Sequence, residues 1–406
     1  MNTAYCNRHG QSGHTPLTAM SASRQMTRKG LRGIYLLVTA VICCTWSCDK
    51  AGTDGTDRLI PIRFDVEDIA APDRTRGMDV VDINSLLDYG FGISASYSER
   101  DVEFPFAGDA VNYFLKTRVD KVGESWVTVP ISYWPIGGKL SFFAYAPYNV
   151  NSINEQAEIP SDDYVSGPLT VDYTPAENVS FQSDFCVAKP VYNQTYTGQS
   201  VVFNFRHTLC RVFFSFSYKH DGAAPGETGI PAGTSLAIDQ IDIEGVTGSR
   251  RLTYIDEEPF YVWGEEKGTA NYTLKRKGDD QIANVAIPRT VSGDAKEADI
   301  SKSNGRLYLL PQTVNADADG DATITISASL VQNIGTSSEA SVAEFIVTKE
   351  IPETVWPAGG GVRYHITLDL TYLTKMNMTF EQVDTYNDWI TPYQSANSGT
   401  SDFHID

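Results

Sequence analysis

Val362-Arg-Tyr-His-Ile-Thr-Leu-Asp-Leu-Thr-Tyr372 places an apolar side chain at every second position across eleven residues, with mostly polar neighbours between. A period of two puts Val362, Tyr364, Ile366, Leu368, Leu370 and Tyr372 on one face of a strand, which marks a half-buried sheet. Ile324-Ile326-Ala328-Leu330 and Leu169-Val171-Tyr173 repeat the pattern. Phe203, Phe205 and Leu209 occupy odd positions, whereas Val212, Phe214, Phe216 and Tyr218 occupy even ones. A one-residue slip reverses the buried face, so a bulge or bend is predicted near Cys210. Outside the N-terminal segment no long stretch has a 3.6-residue period, and only short pieces such as Asn84–Tyr89 read as helix. Many short strands separated by Gly, Pro, Asn and Asp predict an all-β chain built of β-sandwiches.

A chain of 406 residues is too long for one ordinary core and suits two domains. At 41% hydrophobic and 20% charged it has the composition of a folding chain. Its 51 acids against 32 bases exclude a nucleic-acid partner, which would need clustered Lys and Arg.

The charge is uneven. Residues 1–48 hold Arg8, Arg24, Arg28, Lys29 and Arg32 and no acid, a local +5; −19 less +5 leaves −24 on the remainder. Arg28, Lys29 and Arg32 precede the apolar run Ile34–Trp46, then Ser47, Cys48 and the polar Asp49-Lys50. A basic start, an apolar core shorter than the ~20 residues of a membrane span, and a small residue at its end read as an export signal over 1–47. Met26 is a plausible true start, since it would leave 22 residues before Cys48. Ser47-Cys48 resembles the lipobox of bacterial lipoproteins, in which Cys48 would be acylated and become the new N-terminus. Thr45 and Trp46 depart from that pattern, and ordinary signal cleavage or a membrane anchor are the alternatives.

Beyond Cys48 only Cys186 and Cys210 remain, with no metal-ligand spacing, and they read as two buried thiols or one bridge. Trp134-Pro-Ile-Gly-Gly138 and Trp356-Pro-Ala-Gly-Gly360 each lead into a strand, which reads as tight-turn chemistry or as an echo between two similarly built domains.

Candidate chemistry is sparse. Asn315-Ala-Asp317-Ala-Asp319-Gly320-Asp321 has the look of a calcium loop, but Ile326 stands where the closing Glu belongs, so it reads as a hairpin turn. His207 has no accompanying nucleophile motif and reads as a core or strand-edge histidine. The paired acids Asp162-Asp163, Glu257-Glu258 and Glu265-Glu266 read as solvated turns. Tyr254, Phe260, Tyr261 and Trp263 would stack on a sugar if exposed, or pack at a core or domain interface. No enzyme, cofactor or metal signature emerges. Two features remain. Pro72-Asp73-Arg74-Thr75-Arg76-Gly77 follows a predicted first strand, Leu59–Val66, and reads as an arginine-cleavable loop or an uncut linker. Met376, Met378 and Phe380 alternate, with Val383 beyond, in a terminal strand that would either donate to another subunit's sheet or complete its own sandwich.

Taken in order, several short pieces resemble the fimbrillin-like proteins of Bacteroides-type bacteria, subunits of lipoprotein-derived (type V) pili. They are Ile62-Arg-Phe64, Thr75-Arg76, Gly90-Phe-Gly-Ile93, and Tyr133–Gly138 with Phe142–Tyr148. Further along come Gln182-Ser-Asp184, Phe205–Leu209, Leu309-Leu-Pro-Gln312, and Trp356–Gly360 with Tyr364. The resemblance implies no catalysis and two transthyretin-like β-sandwich domains in tandem, placed at 59–197 and 198–392. A lipidated linker over 48–58 and a polar tail over 393–406 would flank them. It also implies outer-membrane export on the Cys48 lipid, cutting by an arginine-specific protease after Arg76 or Arg74, and polymerisation with other subunits by strand exchange, supporting adhesion. Shaft, tip and anchor roles stay open. So does a monomeric or anchor-type surface lipoprotein binding a glycan or host ligand.

Overall fold

The computed structural model describes residues 59–69, 83–103, 111–148, 157–158, 169–220, 233–279, 281–289, 296–300, 302, 307–316, 322–371 and 375–386. The first part runs β1 (Phe64–Ile69), α1 (Ile83–Tyr89), β2 (Phe91–Ser98), β3 (Val111–Val122), β4 (Ser125–Val129), β5 (Lys139–Ala146), β6 (Ala157–Glu158), β7 (Thr170–Tyr173), β8 (Cys186–Ala188), β9 (Val191–Gln194) and β10 (Val201–His207). It continues as β11 (Cys210–His220), β12 (Thr234–Tyr254), β13 (Tyr261–Lys275), β14 (Ala298–Asp299), β15 (Leu307–Leu309) and β16 (Gln312–Val314). Last come β17 (Thr323–Gln332), β18 (Ala340–Glu350), β19 (Thr354–Trp356), β20 (Gly361–Thr371) and β21 (Lys375–Tyr386). The chain is all-β apart from α1, which covers the short helical piece predicted at Asn84–Tyr89, and one 3-10 turn at Val179–Phe181.

An eight-stranded sheet has the order β2-β3-β4-β1-β10-β8-β5-β9, and β2 also pairs with β5, so its hydrogen bonding closes into a circuit. Its core takes Ile62, Phe64, Phe91, Trp126, Phe142 and Phe203, all 1% exposed or less. Besides the two-stranded pair β16-β19, the remaining strands form a five-stranded sheet (β14-β11-β20-β21, with β15 on β11) and a six-stranded one (β18-β17-β12-β7-β6, with β13 on β12). These two sheets share a core in which Phe214, Phe216, Ile366 and Leu368 meet Ile238, Ile241, Ile324 and Ile326. That is sandwich packing, with alternate apolar positions turned into the shared core, although β11 is buried at every position from Cys210 to Tyr218.

Strand β5 also has both faces covered, because Leu140-Ser-Phe-Phe-Ala-Tyr-Ala146 is buried throughout. Leu140, Phe142 and Ala144 face the first core, whereas Phe143 and Tyr145 enter a third cluster with Leu169, Tyr173, Leu252, Tyr254 and Tyr261. A strand covered on both faces loses its alternation, hence the continuous apolar run.

The phase reversal near Cys210 has a definite cause. Strand β10 ends at His207 in the first sheet, and β11 begins at Cys210 in the five-stranded one. The slip is a hand-over between sheets, pinned where the Thr208 amide and hydroxyl both donate to the Phe185 carbonyl at 3.0 and 2.7 Å. Hydrogen bonding also crosses the expected boundary at 197/198. Strand β10 lies beyond it yet pairs with β1 and β8, and β7 lies before it yet pairs with β12.

Both Trp-Pro-x-Gly-Gly stretches are turns opening a strand, β5 and β20, with Trp134 and Trp356 buried. Gly359, at φ +66°, needs to be glycine: a Cβ there would lie 2.7 Å from the His207 carbonyl oxygen. The Trp356 indole N–H donates to the Tyr364 hydroxyl at 2.8 Å, tying the turn to the strand it opens. Cys186 and Cys210 are unbridged and both buried.

Phe64 stacks on Phe203 at 5.8 Å and meets Phe142 edge-on at 5.7 Å. Phe64→Ala is expected to cost about 3–5 kcal/mol. Urea unfolding measures this, and a loss below about 1 kcal/mol would mean that β1 is not part of the core.

Candidate functional site

Residues 59–69 form a link that the first sheet cannot replace locally. The Ile62 amide donates to the Ser132 carbonyl at 2.9 Å, and the Trp134 amide to the Ile60 carbonyl at 2.8 Å. Phe64 then pairs antiparallel with Trp126 of β4, while Phe64–Ile69 run parallel to Val201–Phe205 of β10. The predicted first strand, Leu59–Val66, is thus shifted: regular strand begins at Phe64 and reaches Ile69. Ile62, Phe64 and Ile69 are buried, each contributing about 1.5–3 kcal/mol of apolar transfer. Just before β1 lies an open groove of about 420 Å³, bordered by Leu59, Tyr113, Phe114, Tyr133, Trp134 and Ile136.

The other predicted joining element, Met376–Val383, lies in β21. That strand pairs antiparallel with β20 of the same chain, from Gly361 opposite Tyr386 to Thr371 opposite Lys375. Met376 and Met378 are buried in the sandwich core, with Phe380 and Val383 partly buried against it. Lys349 of β18 donates to the Met378 carbonyl at 3.1 Å and lies over the Phe380 ring.

A polar cluster also fastens β21 on the opposite face. His365 Nδ1 donates to Glu297 at 2.5 Å and Nε2 to Asp384 at 3.0 Å, and the Ser215 hydroxyl donates to Glu297 at 2.6 Å. Gln382 and the Tyr386 hydroxyl also donate to Asp384, and Arg363 pairs with Asp299 at 3.3 Å. The hydrogen bond to Glu297 raises the His365 pKa, with Asp384 adding to it against burial. Burial pushes the Glu297 and Asp384 carboxyls up, but hydrogen bonds outweigh it and hold both below their usual range. Nothing in the local pattern marks this cluster, since its members are ordinary polar positions on four strands or their flanks.

His207 is a core histidine, 4% exposed, with Nδ1 2.8 Å from Asp184 Oδ2 and 3.2 Å from Cys186 Sγ. The aromatics Tyr254 and Tyr261 do not form an exposed sugar platform. Both are buried in the third cluster, where the Tyr254 hydroxyl donates to the Ala144 carbonyl and that of Tyr261 to the His207 carbonyl. Trp263 donates to the Thr208 carbonyl at 3.0 Å, and Phe260 lies under Lys189 and Arg206. The Asn315 amide donates to the Ala322 and Ile351 carbonyls and accepts from the Ala322 backbone N–H. Cys48, Arg74, Arg76, Asp162-Asp163, Asp317–Asp321 and the polar tail lie outside the described residues. Among the described residues no helix is long and apolar enough to cross a membrane.

The fimbrillin-like family matches residues 90–382, and the chain belongs to it. That membership gives it a fimbrial or adhesion role at a surface-located fimbrium, among other subunits. A fimbrial protein from Bacteroides vulgatus shares the fold, with a TM-score of 0.51 at 16% identity over 80% of this chain and 98% of that one. Candidate cell adhesion proteins from Bacteroides ovatus and Bacteroides uniformis match with TM-scores of 0.42 and 0.36, each at 14% identity over 82% of this chain and 98% of theirs. No curated protein matches the chain.

The cluster on β21 predicts a pH window. His365, raised in the folded state, contributes fully below its ordinary pKa of 6.5 and loses that contribution as pH rises through its folded value. Glu297 and Asp384, lowered, contribute above their ordinary 4.5 and 3.8 and lose it as pH falls through their folded values. Protection of the β21 amides, corrected for the intrinsic pH dependence of exchange, is expected to be greatest between about pH 4.5 and 6.5 and to fall above. His365→Gln should remove the loss of protection on the alkaline side, and an unchanged pH profile in that variant would contradict the assignment.

Proposed function

We propose that the chain is a structural subunit of surface fimbriae that joins its neighbours by strand exchange at the position of β1. The observation that carries this reading is the place of β1 in the first sheet, where it alone connects β4 to β10. Its removal would open a closed circuit into two unpaired edges above an apolar slot, a state that favours capture of another strand. Arg74 and Arg76 follow Ile69 closely in sequence, so a cut at either would separate β1 from everything after it. In this reading the subunit is exported as an outer-membrane lipoprotein acylated at Cys48, and an arginine-specific protease frees it for assembly. Two transthyretin-like units in tandem are our division of the chain, the first closed by β1 and the second holding β21. The subunit has no catalytic step in this reading, and adhesion to a host or glycan ligand would be a property of the fimbrium.

The pairing of β21 supports a second reading within the same class. A donor strand must leave its own sheet, and β21 is held there by its ladder to β20, by Met376 and Met378, and by the His365 cluster. That favours a subunit which accepts a strand without donating one, at a tip or anchor position.

Arg74→Ala with Arg76→Ala should abolish high-mass multimers on denaturing gels of sheared surface protein. N-terminal sequencing of wild type should then begin at Gly77 or Thr75. Multimers of normal length from the double variant would overturn cleavage as the trigger. Wild-type protein recovered only as a lipidated monomer beginning at Cys48 would leave the anchor-type or glycan-binding lipoprotein.

A further inference from the structure

Asp184, Cys186 and His207 bring three metal-ligating atoms to one point. Cys186 and His207 face each other directly across the β8–β10 ladder, and Asp184 stands two residues before Cys186, the spacing that keeps both on one face. Nδ1 of His207 lies 2.8 Å from Oδ2 of Asp184 and 3.2 Å from Sγ of Cys186, and Sγ lies 3.7 Å from Oδ2. A tetrahedral zinc with ordinary bonds to nitrogen, oxygen and sulfur sets separations of roughly 3.3–3.6 Å between its donor atoms. The observed triangle comes within about half an ångström of that, inside the reach of small side-chain rotations.

We infer that Asp184, Cys186 and His207 form a binding site for a borderline-soft divalent cation such as zinc, clamping β8 to β10. The donor set selects the metal class: thiolate with imidazole favours zinc and its neighbours, and disfavours calcium and magnesium. Charge also matches, since thiolate plus carboxylate offset a divalent ion in a site where all three side chains are buried. Because a thiol binds zinc as thiolate, metal binding would displace the Cys186 proton. The surroundings hold the ligands in place. The Tyr261 hydroxyl donates to the His207 carbonyl at 2.8 Å, and Thr208 donates twice to the Phe185 carbonyl. Because the cluster is enclosed, the ion would enter during folding and would stiffen β10, the strand against which β1 lies.

The test begins with protein purified without chelator and assayed by plasma mass spectrometry. It is then unfolded with chelator and refolded in cobalt(II) under anaerobic, reducing conditions. About one equivalent of cobalt is expected, with a thiolate-to-cobalt charge-transfer band in the near ultraviolet. Cys186→Ala and Cys186→Ser should lose that band, whereas Cys210→Ser, whose sulfur lies in the other core, should keep it. Correctly refolded wild type that binds no cobalt or zinc would overturn the site and leave a metal-free hydrogen-bonded triad. So would a band that persists in Cys186→Ala. If the Cys186 variants fail to fold, wild-type stoichiometry and the spectrum of a variant carrying Cys6→Ser, Cys43→Ser, Cys44→Ser, Cys48→Ser and Cys210→Ser still decide, because the band requires a thiolate and only Cys186 would then supply one.

Discussion

Phe64 pairs with Val201 on one side and Trp126 on the other, and through that residue the hydrogen bonding of the first sheet closes on itself. Closure removes the open edges that make β-sheets prone to pair with other chains. The dependence is asymmetric. Five residues of β1 pair with β10, but only Phe64 pairs with β4, so the circuit has a thin point at the junction between β1 and β4. The Phe64 ring reinforces it, touching Phe91, Phe142 and Phe203 from β2, β5 and β10. The strand that completes the sheet also comes from far along the chain. Val201 lies well over a hundred residues beyond Phe64, with α1 and eight strands between. A contact of that kind can be detached without unravelling the elements between its ends, because β2–β5 and β8 are joined to one another by pairs of their own.

The two ends of the described chain treat their joining strands differently. Strand β1 is held by apolar burial and a short ladder, whereas β21 has a full-length ladder, two buried methionines and a titrating polar cluster. Burial is insensitive to pH between 4 and 8, while the His365 cluster is not. An accepting slot and a retained terminal strand are compatible with one subunit. In the proposed assembly the first would take up a strand and the second would stay in its own sheet.

Much of this was legible in local sequence. The alternation of Val362–Leu370 is strand β20, and Ile324–Leu330 is strand β17, because each faces a core on one side only. The Trp-Pro-x-Gly-Gly stretches were readable because proline and glycine act through their own backbones. The reversal near Cys210 was visible as a change of phase, but its cause was not, since a bulge and a change of sheet leave the same trace in one dimension. The pairing of β1 with β10 left no local mark, because Ile62 and Phe64 would read alike beside any partner. The burial of Tyr254 and Tyr261 depends on a third cluster assembled from both parts of the chain, and β5 hid its double role in a continuous apolar run. Asp184, Cys186 and His207 meet only through the β8–β10 register, which spacing alone cannot supply.

Amide hydrogen exchange along β10 tests the dependence on β1 most directly. The comparison is between intact protein, protein cut at the arginines and freed of residues 59–69, and assembled fimbriae. Val201–Phe205 should be strongly protected in the intact protein, exchange far faster once β1 is gone, and regain protection in the fimbria, where another strand fills the position. Equal protection of Val201–Phe205 with and without β1 would contradict the account, because the sheet would then close without the strand on which it is argued to depend.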